Sequence, residues 1–219
     1  MDRYFTRKQI LVLATTLIAC AALGGGWFYH KKSQPAPVQI HISGSPTLGR
    51  KNAPIQMVLF EDFRCPSCRS FNVKLLPRIQ ESYITPGYAS FTIVPLAFLP
   101  ESKPLANAAL AVYQIAPDRF FSYVHGLCQG FGERETKTSI QEQLINLAKS
   151  IGGIDLLQFK ACVMTDCHEA TLEKNLALAK EIMGEEFGTP TLYINGVPGS
   201  TGSFSSIQTM IEQFLQGGP

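Results

Sequence analysis

The sequence predicts an α/β domain in which a block of helices interrupts a small sheet. Three observations carry this. Short apolar runs at residues 55–60, 89–95 and 191–194 read as strands, and between about 102 and 183 no strand signal occurs. A Cys-x-x-Cys pair, Cys65-Pro66-Ser67-Cys68, stands where the first run ends and a helical pattern begins.

The first run, Ile-Gln-Met-Val-Leu-Phe, has the length and apolarity of a buried strand and ends at Glu61-Asp62. From Pro66 onward Phe71, Leu75, Leu76 and Ile79 recur at helical spacing, and Pro77 predicts a kink. The second run is closed by Pro95. Residues 104–114 are rich in Ala and Leu, 118–128 carry aromatics, and 140–150 are amphipathic. Asp155 reads as the N-cap of a further helix running towards Met183, with a break around Thr165-Asp166. The third run is followed by Asn195-Gly196, a strong hairpin signal, and the chain ends in a helix near 205–216.

The composition fits one packed domain. Of 219 residues, 45% are hydrophobic and 16% charged, enough to fill a core. The net charge of +2 comes from scattered Lys and Arg, so no basic field is concentrated for nucleic acid, and none is expected as a partner.

The organisation reads as an export or anchor segment at 1–32, an extended proline-bearing linker at 33–37, and a folded domain at 38–219. Arg3, Arg7 and Lys8 lead into 10–29, which carries no charged side chain and matches the roughly 20 residues that cross a bilayer. An uncleaved anchor is favoured on that length. Two alternatives stay open: a signal peptide cut at Ala19-Cys20-Ala21, and a lipid anchor at Cys20, since Leu17-Ile18-Ala19-Cys20 resembles the lipobox of bacterial lipoproteins. All three place the domain outside the cytoplasm, in the periplasm or envelope.

The Cys-x-x-Cys pair reads as redox chemistry. A cysteine at a helix start faces the unpaired N–H groups of the first turn and the positive end of the dipole, which favour thiolate. That makes Cys65 a ready nucleophile and leaving group. Pro66 suits the first turn because its missing donor has no intrahelical partner. Cys68, one turn on, is placed to resolve a mixed disulfide formed at Cys65.

The segment from Phe60 to Cys68 followed by Phe71, together with Gly188-Thr189-Pro190-Thr191 and Tyr193-Ile194-Asn195-Gly196, resembles the DsbA-like branch of the thioredoxin superfamily. The resemblance implies a thioredoxin fold with its helical insertion between the active-site half and the cis-proline half. It implies that Pro190 is cis and lies beside the Cys65 sulfur, and that Thr189 offers backbone hydrogen bonds to an extended substrate. Phe63, Pro66, Ser67 and Thr189 are then the expected substrate contacts, and Cys65, Cys68 and Pro190 the catalytic set. Thioredoxins carry a buried acid six residues before the first cysteine, and here that position is Leu59. Glu61 and Asp62 are the nearest carboxylates, read as a solvated acidic strand end in preference to a proton acceptor for Cys68. Arg64 and Arg69 either favour the Cys65 thiolate or contact solvent.

Of the other cysteines, Cys162 and Cys167 would lie about 7.5 Å apart along the axis of a continuous helix, beyond disulfide reach. A Cys128–Cys162 structural disulfide is therefore expected, with Cys128–Cys167 as runner-up. A metal site from Cys65, Cys68, Cys162, Cys167 and His168 is disfavoured, because Cys65 is needed for exchange. No cofactor or metal is expected. The expected activity is disulfide donation to cysteine-containing exported proteins, with a membrane redox partner reoxidising the pair. A reductase or isomerase of the same fold and a non-catalytic peptide-binding chaperone module are the alternatives.

Overall fold

The computed structural model describes residues 36–130 and 138–217, together with Thr16 and Cys20. The apolar segment 10–29 lies outside the described residues apart from Thr16 and Cys20, which are helical and exposed. Among the described residues no helix is long and apolar enough to cross a membrane. The main compact unit spans Pro37–Pro219.

Five strands form one sheet: β1 (Thr47–Gly49), β2 (Ile55–Asp62), β3 (Ala89–Leu96), β4 (Thr191–Ile194) and β5 (Val197–Gly199), in the order β1-β3-β2-β4-β5. β2 and β3 are parallel, joined by a helical crossover, while β4 runs antiparallel on the other side of β2. Successive side chains on each strand point to opposite faces. Ile55, Met57 and Leu59 of β2 enter the larger core with Phe91 and Ile93 of β3, whereas Val58 and Phe60 enter a second cluster with Val94, Leu96 and Tyr193. With both faces covered, the central strands read as continuous apolar runs instead of alternating ones, which is why the sequence revealed them.

The crossover comprises α1 (Pro66–Ser70), a π turn (Phe71–Leu75), α2 (Leu76–Ile79) and a second π turn (Gln80–Ile84). The kink expected at Pro77 is thus a widening of the turn ahead of it; the ring would strike the carbonyl four residues back in a regular helix. The insertion contains α3 (Lys103–Ile115), α4 (Phe120–Gly130), α5 (Ile140–Ile151), α6 (Leu156–Thr165) and α7 (Glu169–Met183), and α8 (Phe204–Leu215) closes the fold. Asp155 caps α6 by accepting from the N–H groups of Leu157 at 2.9 Å and Gln158 at 3.2 Å. α7 supplies Ala179 to the smaller cluster, and α8 supplies Ile207 and Ile211 to the larger core.

The hairpin at Asn195-Gly196 has φ of 49° and 78° at its two central residues, the positive values that a two-residue turn of this hand requires. A Cβ on Gly196 would stand 2.3 Å from the Val38 carbonyl oxygen, so only glycine fits.

Cysteine pairing departs from expectation. α6 stops at Thr165 because Asp166 takes a left-handed φ of 49°. The reversal brings the Cα atoms of Cys162 and Cys167 to 5.0 Å, and these two residues form the disulfide. The expected Cys128–Cys162 bridge is therefore corrected: Cys128 is a buried free thiol. Cys162, Cys167 and His168 place their ligand atoms within 4.8 Å of one another, but the two sulfurs are bonded together, and Cys65 and Cys68 are not part of that group. Buried Asn107 of α3 holds this corner, donating to the Cys162 carbonyl at 3.2 Å and accepting from the His168 N–H at 2.9 Å.

Candidate active site

The N-cap of α1 is Cys65 itself, in an extended conformation, with Pro66 as the first helical residue. Its N–H donates to the Asp62 carbonyl at 2.9 Å, which ties the cap to the end of β2. The two sulfurs differ in access: Cys65 is 9% exposed and Cys68 fully buried. Partial burial works against a Cys65 thiolate. It is outweighed by hydrogen bonds from the backbone of Cys68 and Ser67 and from the side chains of Thr189 and Cys68, and the net effect holds the Cys65 pKa below the ordinary thiol range. Cys68 goes the other way, pushed far up by burial first and by the neighbouring Glu61 second.

The second motif arrives from β4. The Thr189–Pro190 peptide bond is cis, and the Thr189 carbonyl accepts from Cys65 Sγ at 3.2 Å. Pro66 and Ser67 are exposed beside it, and Thr189 and Pro190 are half-buried. Phe63 does not join them: at 1% exposure it belongs to the larger core, so it supports the site from beneath and offers no surface to a substrate.

Glu61 and Asp62 are not a solvated strand end; both are fully buried. Glu61 stands two residues past Leu59, on the same face of β2 as Ile55, Met57 and Leu59, and so points under α1. Burial first, then the charges of Asp62 and Cys65, push its pKa up to about 8, against a hydrogen bond from Asn72 that lowers it. Asp62 serves differently. Its carboxylate accepts from the N–H groups of Arg64 at 2.9 Å and of Phe98 and Leu99, both at 3.1 Å, pinning the loop after β3 to the active-site turn. Arg64 pairs with Glu101 at 3.1 Å, and Arg69 donates to the Cys128 carbonyl at 3.2 Å.

The sequence reading missed Phe98 and Phe187 here and preferred a solvated position for Glu61, which is buried. The parity of β2 was the available signal for Glu61: a residue two positions beyond an inward Leu also points inward. Phe98 and Phe187 carried no such signal. Their rings meet edge to face at 4.9 Å, with Phe98 38% exposed and Phe187 just ahead of the Gly188-Thr189-Pro190 loop.

The sequence profile of the family described as Thioredoxin matches residues 42–213. The chain belongs to the thioredoxin family. Disulfide bond formation protein D of Bacillus subtilis (strain 168) is 30% identical over 181 residues, covering 82% of this chain and 81% of the relative. A probable disulfide bond formation protein D of Bacillus anthracis is 28% identical over 80% of each chain. Among solved structures, oxidised BdbD from Bacillus subtilis superposes with a TM-score of 0.75 at 29% identity, covering 84% of this chain and all of that one. DsbA of Chlamydia trachomatis follows at 0.71 and 29%, covering 82% and 98%. Within the thioredoxin family this chain is a DsbA-like thiol:disulfide oxidoreductase, an enzyme of dithiol–disulfide exchange.

Proposed function

We propose that Cys65 is the exchanging cysteine, Cys68 the resolving one and Glu61 the proton store between them, and that the enzyme donates disulfides to cysteine-containing exported proteins. The observation that carries this is the asymmetry of the pair: one sulfur reachable with a depressed pKa, the other buried with a raised one.

A substrate thiolate attacks Cys65 Sγ of the oxidised pair, the Cys65–Cys68 bond breaks, and Cys68 leaves as a thiolate. Burial makes that charge costly, and the proton of Glu61 neutralises it. A second substrate thiolate then attacks the substrate sulfur of the mixed disulfide and releases Cys65 as a thiolate. Two electrons have passed from the substrate dithiol to the enzyme. A membrane redox partner, acting as a two-electron acceptor, restores the disulfide.

In this reading the backbone of Thr189, whose carbonyl meets the Cys65 sulfur, pairs with an extended substrate segment, and the Phe98–Phe187 edge offers apolar side chains a surface. Disulfide donation is the favoured direction because stabilising the Cys65 thiolate stabilises the reduced enzyme and makes its disulfide more oxidising. The domain acts in the envelope, tethered by residues 10–29; the intact mass of the mature protein separates tethering from cleavage or lipidation at Cys20. Direction is tested by equilibrating the protein with the glutathione couple. A potential near or above that of an oxidising envelope is expected, and one well below it contradicts disulfide donation.

A further inference from the structure

Among the described residues, Glu61 is held by a single side chain. Asn72, the second residue of the π turn after α1, is 1% exposed, and its Nδ2 donates both to Glu61 Oε2 and, at 3.0 Å, to the Cys68 carbonyl oxygen. The orientation of this amide follows from its partners. The Cys68 carbonyl is an acceptor only, so the amide atom facing it must be the nitrogen. The same nitrogen faces Glu61 Oε2, which therefore serves as an acceptor. The carbonyl oxygen of a protonated carboxyl group is its better acceptor, so the proton is favoured on the other oxygen, Oε1. Among the described residues, the buried Oε1 has no hydrogen-bond partner, and neither has Asn72 Oδ1.

We propose that Asn72 is a positioning residue for disulfide exchange: by engaging Oε2 it confines the transferable proton of Glu61 to Oε1 and ties that carboxyl to the Cys68 backbone. The inference rests on Glu61 serving Cys68, as argued above. When the disulfide opens, Oε1–H gives its proton to the departing Cys68 sulfur and Glu61 becomes a carboxylate, which Nδ2 continues to hold. When the disulfide forms by attack of Cys68, the proton returns from Sγ to Oε1. Asn72 also lines a cleft of about 680 Å³ with Gln80, Asp118, Ser122 and His125.

Among the described residues, Asn72 is the contact that favours the Glu61 carboxylate. Asp62 on its own strand and Cys65 on α1 both disfavour the carboxylate. Cys68 on α1 and Cys128 on α4 are buried thiols whose own ionisation Glu61 opposes. Its partner across the β3 ladder is Pro95. Arg69 is turned to the Cys128 carbonyl.

The test follows the second step of oxidation. Reduced protein in a Cys20→Ser background is mixed with one equivalent of a chromogenic aryl disulfide, which releases one coloured thiol when Cys65 attacks and another when Cys68 closes the pair. The second phase is recorded between about pH 5 and pH 10. In the parent its rate rises with ionised Glu61, and Glu61→Gln removes that inflection. Asn72→Leu removes the contact that lowers the Glu61 pKa, so the inflection moves to higher pH and the rate at pH 7 falls about tenfold, the equivalent of roughly one pKa unit. The rate at the alkaline end stays within about threefold of the parent, a split that general loosening of the site would not produce. Asn72→Ser, which is smaller and loses one of the two donated bonds, shifts in the same direction. An unchanged inflection in either folded Asn72 variant, with Glu61→Gln still removing it, overturns the role of Asn72 alone. If Glu61→Gln keeps the inflection, the Glu61 reading falls and this inference with it.

Discussion

Cys65 Sγ stands 3.2 Å from the carbonyl oxygen of Thr189, a residue 124 positions later in the chain. The contact joins the helix start after β2 to the loop entering β4. These strands are neighbours in the sheet, so the register of Phe60 opposite Thr191 sets where the two motifs meet. The exchange site is thus a product of strand pairing, with the helical insertion looped out between its halves.

Glu61 gives the protein a pH-dependent stability with a definite sign. Its folded-state pKa of about 8 lies above the ordinary 4.5, so the folded form holds this proton more tightly than the unfolded chain does. Its contribution is most favourable below about pH 4.5 and is lost as pH rises towards about 8. Urea unfolding of the oxidised protein at a series of pH values is expected to show that decline in the parent and a flatter profile in Glu61→Gln. Parallel profiles would remove the buried carboxyl as its cause.

Much of this was legible in the chain. The strands of the sheet centre announced themselves because both their faces are covered, and the cysteine pair and proline loop marked the two halves of the site. β1 did not: three residues, Thr-Leu-Gly, carry too little pattern to separate a strand from a turn. Glu61 was placed in solvent because a charged pair at a strand end ordinarily faces water, although the alternation of β2 already pointed it inward. The Cys162–Cys167 bridge depended on the left-handed backbone at Asp166 and on the docking of Asn107. The break near 165–166 could be read locally; the sharpness of the reversal, fixed by a contact from a distant helix, could not.

Asp62 holds three backbone N–H groups from two loops in a fully buried setting. Asp62→Ala leaves those donors without their acceptor, at an expected cost of about 3 kcal/mol. Because the released loop carries Phe98, affinity for unfolded thiol substrates is expected to fall as well. Denaturant unfolding and substrate titration check the two effects, and a variant as stable as the parent would contradict the role given to Asp62.

The Cys162–Cys167 disulfide closes a very short loop, so its loss is expected to cost only about 2 kcal/mol. The double variant Cys162→Ser/Cys167→Ser should melt at lower temperature and keep exchange activity, since neither sulfur takes part in the reaction proposed for Cys65. Loss of activity in a folded double variant would assign this pair a part in the chemistry.

The central claim is the division of labour between the two active-site sulfurs, and trapping tests it most directly. Cys68→Ser and Cys65→Ser proteins are incubated with an unfolded, thiol-bearing substrate, and covalent adducts are mapped by mass spectrometry. The asymmetry in access and acidity leads us to expect mixed disulfides on Cys65 in the Cys68→Ser protein, at about tenfold or more over any adduct in Cys65→Ser. Equal trapping through Cys68 in the Cys65→Ser protein would contradict the account.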